Sequence, residues 1–447
     1  MKKITGLILS LMMAFSLAAC NSGNGNGGSD GGGANPSPDS SAKPGEDKPK
    51  EVTLKIGLPG GYDVTQKEII DGFAAANSHI KLQIDESPWG DFVQKITAQV
   101  AAGNPPDVWF QENAVILGYG HRGAAEDLRP YIERDIKKED YSPLLFASET
   151  PQGIWGIPHG LNPATIMYNK KMFEEANIPF PSDDWTYEEM LDIAAKLSKD
   201  TNGDGKNDVF GIGVAPSITT GWFPWSKIYG GGILDETKTK AIVTDPKTIQ
   251  ALEVWAGVIK DGLAPSVSDY KAGGGHDAMF ADNKLAMNML QYSSQVKMNE
   301  KYPDLDYDVA KMPIGYDGNR VMPLVTNSWL IYSKSKPEVK EAAWEFLKYY
   351  MGEEAQDIIA KSGSAIPIKL SSTEQLKQDT TTRPQNKSAY VDGVNESGVT
   401  LDENHSWQEW RLAAQPIFQE IHELIKTPEE GAKEIQEKIQ KVLDENK

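Results

Sequence analysis

The chain has 447 residues, a length that points to two domains rather than one, because a single core stops growing well before this size. Aliphatic and aromatic residues make up 39% of it, enough for real cores, while a formal charge of −19 sets the surface against phosphate backbones and anionic lipid. Nucleic acid is thereby excluded as a partner, and the single cysteine, Cys20, excludes an intramolecular disulfide.

The chain opens with Lys2-Lys3, an apolar run from Ile4 to Leu17 and the ending Leu17-Ala18-Ala19-Cys20. A short basic region, an apolar stretch too brief to span a bilayer and small residues before a cut site read as a secretory signal over 1–19. The ending resembles a bacterial lipobox. That resemblance implies lipidation of Cys20, whose two acyl chains would anchor the mature chain stably. The rest of 20–50 is Gly, Asn, Ser, Pro and Lys, too polar to offset its ordering entropy, and reads as a disordered tether. No later stretch is apolar for long enough to cross a membrane. The body is therefore expected on the extracellular face of the cell membrane, held there by the lipid alone.

From Glu51 the pattern becomes regular. Val52, Leu54 and Ile56 alternate as in a strand and Pro59-Gly60-Gly61 turns the chain. Ile69, Ile70 and Phe73 then fall at helical spacing, and Ile80, Leu82 and Ile84 alternate again. This is a βαβ unit, and it predicts an α/β fold with a mostly parallel sheet under helices. Phe92, Ile96 and Val100 give another helix, followed by a strand from Asp107 to Phe110. Trp89, Trp109, Glu112 and Asn113 end these early β–α connections, where α/β folds bind ligands.

Asp200-Thr201-Asn202-Gly203-Asp204-Gly205-Lys206-Asn207-Asp208 places oxygen side chains at positions one, three, five and nine of a loop, with glycine at six, as an EF-hand does. Asp200, Asn202, Asp204, Asp208 and the Lys206 carbonyl are candidate ligands for a structural Ca²⁺. The bidentate glutamate is missing, since position twelve is Gly211, so a carboxylate from elsewhere or water must complete the shell.

Gly221-Trp222-Phe223-Pro224-Trp225 puts three rings in four residues, a spacing that fits neither a helix core nor a strand. On a loop bounded by Gly and Pro, Trp222 and Trp225 are expected to face a ligand. By contrast Trp155, Trp185, Trp255 and Trp344 read as packing. Further helices follow on the stripes Val339–Tyr350, Ile417–Ile421–Leu424–Ile425 and Ala432–Leu443.

Several stretches together resemble the extracellular solute-binding proteins of carbohydrate ABC importers, the group of maltose-binding protein. They are Ala102-Gly103-Asn104-Pro105-Pro106-Asp107-Val108, Gly123 to Leu128 with Pro130-Tyr131-Ile132, and Trp155-Gly156-Ile157-Pro158. Met167-Tyr168-Asn169-Lys170 with Phe173, Trp185 to Glu189, Lys336 to Tyr350, and Ala365-Ile366-Pro367 complete the series in the family's order. The resemblance implies a two-lobe periplasmic-binding-protein-like fold with a ligand cleft and a hinge. It places one lobe at 51–160 plus 325–365 and the other at 165–310 plus 366–447, with crossings near 160–165, 310–325 and 360–370. It further implies no catalysis, a monomer, a carbohydrate ligand and the transmembrane subunits of an ABC permease as partners.

A sugar site combines aromatic rings for C–H faces with side chains that both donate and accept hydrogen bonds. Matched along the family's motifs, Asn162 falls on a sugar-contacting position, Tyr292 on a stacking aromatic, and Trp407 and Trp410 on another aromatic contact. His159 lies in the same inter-lobe loop as Asn162. Trp329, a further candidate ligand contact, departs from the family, which usually has two glycines at the start of that strand. Six scattered His residues without an HxxxH or HxH pair give no metal or catalytic reading for His159 or His276. Arg320 and Arg411 are the charged donors available to a sugar acid. The competing readings are a glycoside hydrolase, for which no two carboxylates can be placed across a cleft from sequence, and a sensing or adhesive surface lipoprotein.

Overall fold

Val52, Leu54, Ile56 and Leu58 do alternate into one face of a strand, and the last three are fully buried in the computed structural model, which describes residues 50–60 and 64–446. The signal, Cys20 and the tether up to residue 49 lie outside the described residues, as does the side chain of Trp89. In chain order the strands are β1 (Val52–Pro59), β2 (Ile80–Ser87), β3 (Val108–Glu112), β4 (Glu149–Thr150), β5 (Gly153–Ile154), β6 (Ile157–Pro158) and β7 (Asn162–Asn169). They continue as β8 (Phe210–Gly213), β9 (Leu285–Gln291), β10 (Tyr307–Ala310), β11 (Met322–Val325), β12 (Asn327–Ile331) and β13 (Gly398–Thr400).

Two main sheets result. The first has the order β2-β1-β3-β12-β6. Its β1 runs parallel to β2 from Val52↔Ile80 onward and parallel to β3, which is the βαβ unit expected from the periodicity, and β12 closes on β3 antiparallel. The second has the order β13-β11-β7-β9-β8, with β10 also on β7. Here β7 is central: seven of its eight residues are buried, as a strand covered on both faces requires. The chain passes from the first sheet to the second between β6 and β7, and returns between β11 and β12, with only Thr326 separating the latter pair. The fold is thus α/β, with two sheet-containing lobes.

Local chemistry fixes the helix ends. Thr186 accepts from the Glu189 amide while the Glu189 carboxylate takes the Thr186 amide, a capping box at the head of Tyr187–Leu197. Thr427 and Glu430 repeat it for the last helix, Pro428–Glu445. The helix Trp407–His422 stops short of the expected stripe. Leu424 adopts a left-handed backbone (φ 58°), and it and Ile425 are exposed, so only Ile417 and Ile421 of that stripe reach the core.

Candidate functional site

The two lobes meet where β3 runs into the helix Asn113–His121. The wholly buried Asn113 donates its backbone N–H to the Thr326 carbonyl at 2.9 Å, so it sits beside the return crossing. Its Nδ2 donates to the Ala147 carbonyl at 3.2 Å and to Glu403 Oε2 at 2.9 Å. Glu403 belongs to the other lobe: it follows β13, its neighbour Asp402 pairs with Lys227 at 3.2 Å, and Asn404 donates to the Lys238 carbonyl at 2.8 Å.

Burial pushes the Glu403 carboxyl up to about 7, against the Asn113 hydrogen bond that favours its charged form, and the Glu112 carboxylate adds to the rise. Burial also raises Glu112, opposed by Arg411. Arg411 lies over the Trp407 ring at 4.7 Å and donates to Gln408 at 3.3 Å. Trp407 donates Nε1 to the Leu401 carbonyl at 3.2 Å and meets Trp410 edge-on at 6.3 Å. Four buried donors in these segments have no protein partner: Gln111 Nε2, Ser406 Oγ, Trp410 Nε1 and Arg411 Nε.

A cavity of about 550 Å³ opens beside this seam, lined by His121, Thr150 and Trp155 of the first lobe and Lys238, Glu403 and His405 of the second. A second, of about 480 Å³, lies beyond His405 against Tyr119, Arg122, Gln408 and Glu409. The His121 and His405 rings stack at 4.1 Å and 12° across the lobes, and burial lowers His121. Aromatic edges with two-way hydrogen-bonding side chains are the surface a hydroxylated ring needs.

Of the residues expected from sequence, Glu112, Asn113, Trp407 and Trp410 converge on the seam. Asn162 opens β7 and accepts from the Ser293 amide at 3.0 Å. His159 takes a Tyr350 hydroxyl contact at 2.8 Å through Nδ1, and burial lowers it to about 4. Tyr292 is covered, edge-on to Tyr390 at 4.8 Å. Trp109 packs edge-on to Tyr119 at 5.5 Å, and Trp329 lies among Phe110, Phe346 and Tyr350 at 5.0–5.2 Å, both within the first lobe's core.

The Gly221–Trp225 segment differs from its expected form. It is not an open loop but two short helical turns, Ile218–Trp222 and Phe223–Ser226, whose three rings are all fully buried. Trp222 stacks flat on Phe418 at 4.0 Å and donates to Gln415 at 3.3 Å, and Trp225 meets Tyr187 edge-on at 5.3 Å. Arg320 is drawn away to Glu396 at 3.5 Å. Glu403, Ser406 and Gln111 escaped sequence reasoning because nothing periodic marks them. Only a contact across 290 residues does.

In the 200–208 loop, Asp200 accepts from the Gly203 amide at 2.6 Å and the Gly205 amide at 2.8 Å, which lower its carboxyl, the Gly205 bond contributing most. Gly203 and Gly205 hold φ of 79° and 87°, the left-handed region that glycine tolerates. Asn202 and Asp204 accept the amides two residues on, and Asp208 takes the Thr201 amide at 3.1 Å. Among the described residues, no group of three His, Cys, Asp or Glu converges as a metal site does, so the donor set here is open and exposed.

Comparison with known proteins matches residues 68–387 to a family described as bacterial extracellular solute-binding protein. A Brucella abortus relative whose name specifies no ligand is 27% identical over 317 residues, 70% of this chain and 74% of that protein. The diacetylchitobiose-binding protein of Streptomyces coelicolor is 23% identical over 84% of each chain. Among solved structures, an ABC substrate-binding protein from Listeria monocytogenes in complex with cycloalternan superimposes with a TM-score of 0.77 at 20% identity, covering 88% of this chain and all of that one. That last likeness establishes a shared fold.

Proposed function

The chain belongs to the bacterial extracellular solute-binding proteins, and we propose that it captures an extracellular carbohydrate between its lobes and passes it to an ABC permease. The observation that carries this reading is the Asn113–Glu403 bond beside a cavity walled by both lobes, because a ligand held there stabilises the closed form over an open one. The relatives that bind diacetylchitobiose and cycloalternan support an oligosaccharide over a single ring. Titration calorimetry of the purified protein against a glycan panel tests it. One oligosaccharide giving saturable heat, weakened by Trp407→Ala, is the expected result. Silence across the panel, or turnover of the glycan, overturns it.

Two finer readings accompany the first. Cys20 carries the lipid anchor of a monomer on the outer face of the membrane, and Cys20→Ser should release the protein into the medium. The 200–208 loop holds a structural Ca²⁺ through Asp200, Asn202, Asp204, Asp208 and the Lys206 carbonyl, supported by the oxygen spacing and the two left-handed glycines.

A further inference from the structure

His121 and His405 come from opposite lobes and lie face to face, with ring centroids 4.1 Å apart and planes within 12°. His121 ends the first lobe's helix Asn113–His121, and His405 follows Glu403 in the second lobe. His405 Nε2 stands 2.9 Å from the Asn446 carbonyl, which can only accept, so that nitrogen carries the proton and Nδ1 is left to take a second. Both rings line the interlobe cavity, and a hinge opening of the lobes would part them.

The groups around the pair decide what an added proton does. Burial lowers His121, then His405, then the adjacent Arg122, and no carboxylate offsets them. Lys238 of the second lobe adds a further positive charge to the same cavity. Three carboxylates face the pair. Glu149, on the first lobe's wall, pairs with Arg129 at 3.6 Å, and Glu403 holds the Asn113 amide. Glu409 lines the neighbouring cavity together with His405 and Arg122. These acids favour a first proton on the stack. A second puts two unit charges about 4 Å apart, a repulsion worth about fivefold in an equilibrium even under near-aqueous screening.

We propose that the His121–His405 stack is an acid-sensitive latch between the lobes, holding them together while at most one ring is charged and releasing them when both are. Closed, the protein binds fewer protons than open. The latch is therefore intact above 6.5, the ordinary histidine value, and weakens as pH falls below it. Solute captured near neutrality is let go in an acidified medium. The latch acts on the lobes whatever the chemistry of the solute, so it goes beyond the carbohydrate reading and does not depend on it.

NMR titration of the histidine rings and small-angle scattering, both on the full chain without solute between pH 7.5 and 5, test the latch. In the native protein His121 should titrate below 6.5, and His405→Gln should raise its midpoint toward that value. The radius of gyration should grow on going to pH 5, and should grow less in His121→Gln. His121 is exposed, so that variant keeps the fold, and Glu403 and the buried histidines are present in both proteins, so their titration cancels in the comparison. A His121 midpoint unmoved by His405→Gln overturns the latch. So does a native radius constant with pH, or an equal expansion of the native protein and His121→Gln.

Discussion

Asn113 and Glu403 stand 290 positions apart and are joined by a 2.9 Å hydrogen bond across the seam between the lobes. Asn113 is held from three other sides, by the Thr326 and Ala147 carbonyls it donates to and by the Ser328 hydroxyl at 3.4 Å. Asn113→Ala therefore leaves a buried carboxylate without its donor, at a cost of about 1–3 kcal/mol. We expect a lower melting temperature and, by small-angle scattering, a larger radius of gyration in the ligand-free protein. An unchanged radius would show that this bond does not hold the lobes together.

Two buried groups should give opposite pH signatures. Glu403 is raised from 4.5 to about 7, so its folded form keeps a proton that the unfolded chain has released between those values. Its contribution to stability is present below about 4.5 and lost as pH rises through 7, at most about 3 kcal/mol from the size of the shift. His159 is lowered from 6.5 to about 4, so its contribution is present above 6.5 and lost as pH falls through 4. Between 4.5 and 6.5 the two slopes oppose. Melting temperatures from pH 4 to 8 should fall more steeply toward acid in Glu403→Gln than in the native protein, and less steeply in His159→Gln, where His276, also lowered to about 4 by burial, still contributes. Parallel profiles in both variants would contradict this assignment.

The sheets were legible because strand periodicity is local. Val52, Leu54 and Ile56 announce β1, and Ile80, Leu82 and Ile84 announce β2. The site was legible only in part. Asn113 and Trp407 could be placed by their positions after a strand and before a helix, but Glu403 lies in a turn with no pattern. Its role exists only through a partner in the other lobe. The Trp222–Trp225 cluster misled for a related reason. Rings crowded between Gly and Pro do leave regular structure, yet Phe418 and Tyr187 come from distant segments to cover them.

The same covering predicts how tryptophan variants divide. Trp329, packed among Phe110, Phe346 and Tyr350, is core, and Trp329→Ala should cost about 3–5 kcal/mol of stability. Trp407 also lies buried but carries Arg411 on its face at the seam. Trp407→Phe should therefore keep most of the stability while losing ligand affinity. Chemical denaturation read beside calorimetry separates the two outcomes. Equal loss of stability in both variants would place Trp407 in the core alone.

The acidic loop offers the last prediction. Asp200 spends both carboxylate oxygens on the Gly203 and Gly205 amides, which shapes the turn without any cation. If Ca²⁺ completes the loop, its oxygens come from Asp204, Asp208, Asn202 and the Lys206 carbonyl as well, and binding to the folded form alone raises stability by mass action. The melting temperature should then fall on adding a chelator and return with excess Ca²⁺ but not with Mg²⁺, whose smaller shell resists so many protein oxygens. Asp204→Asn should weaken the Ca²⁺ response while leaving the Asp200 turn in place. A melting temperature indifferent to chelator in the native protein would mean that the glycine turn and its amides hold this loop unaided.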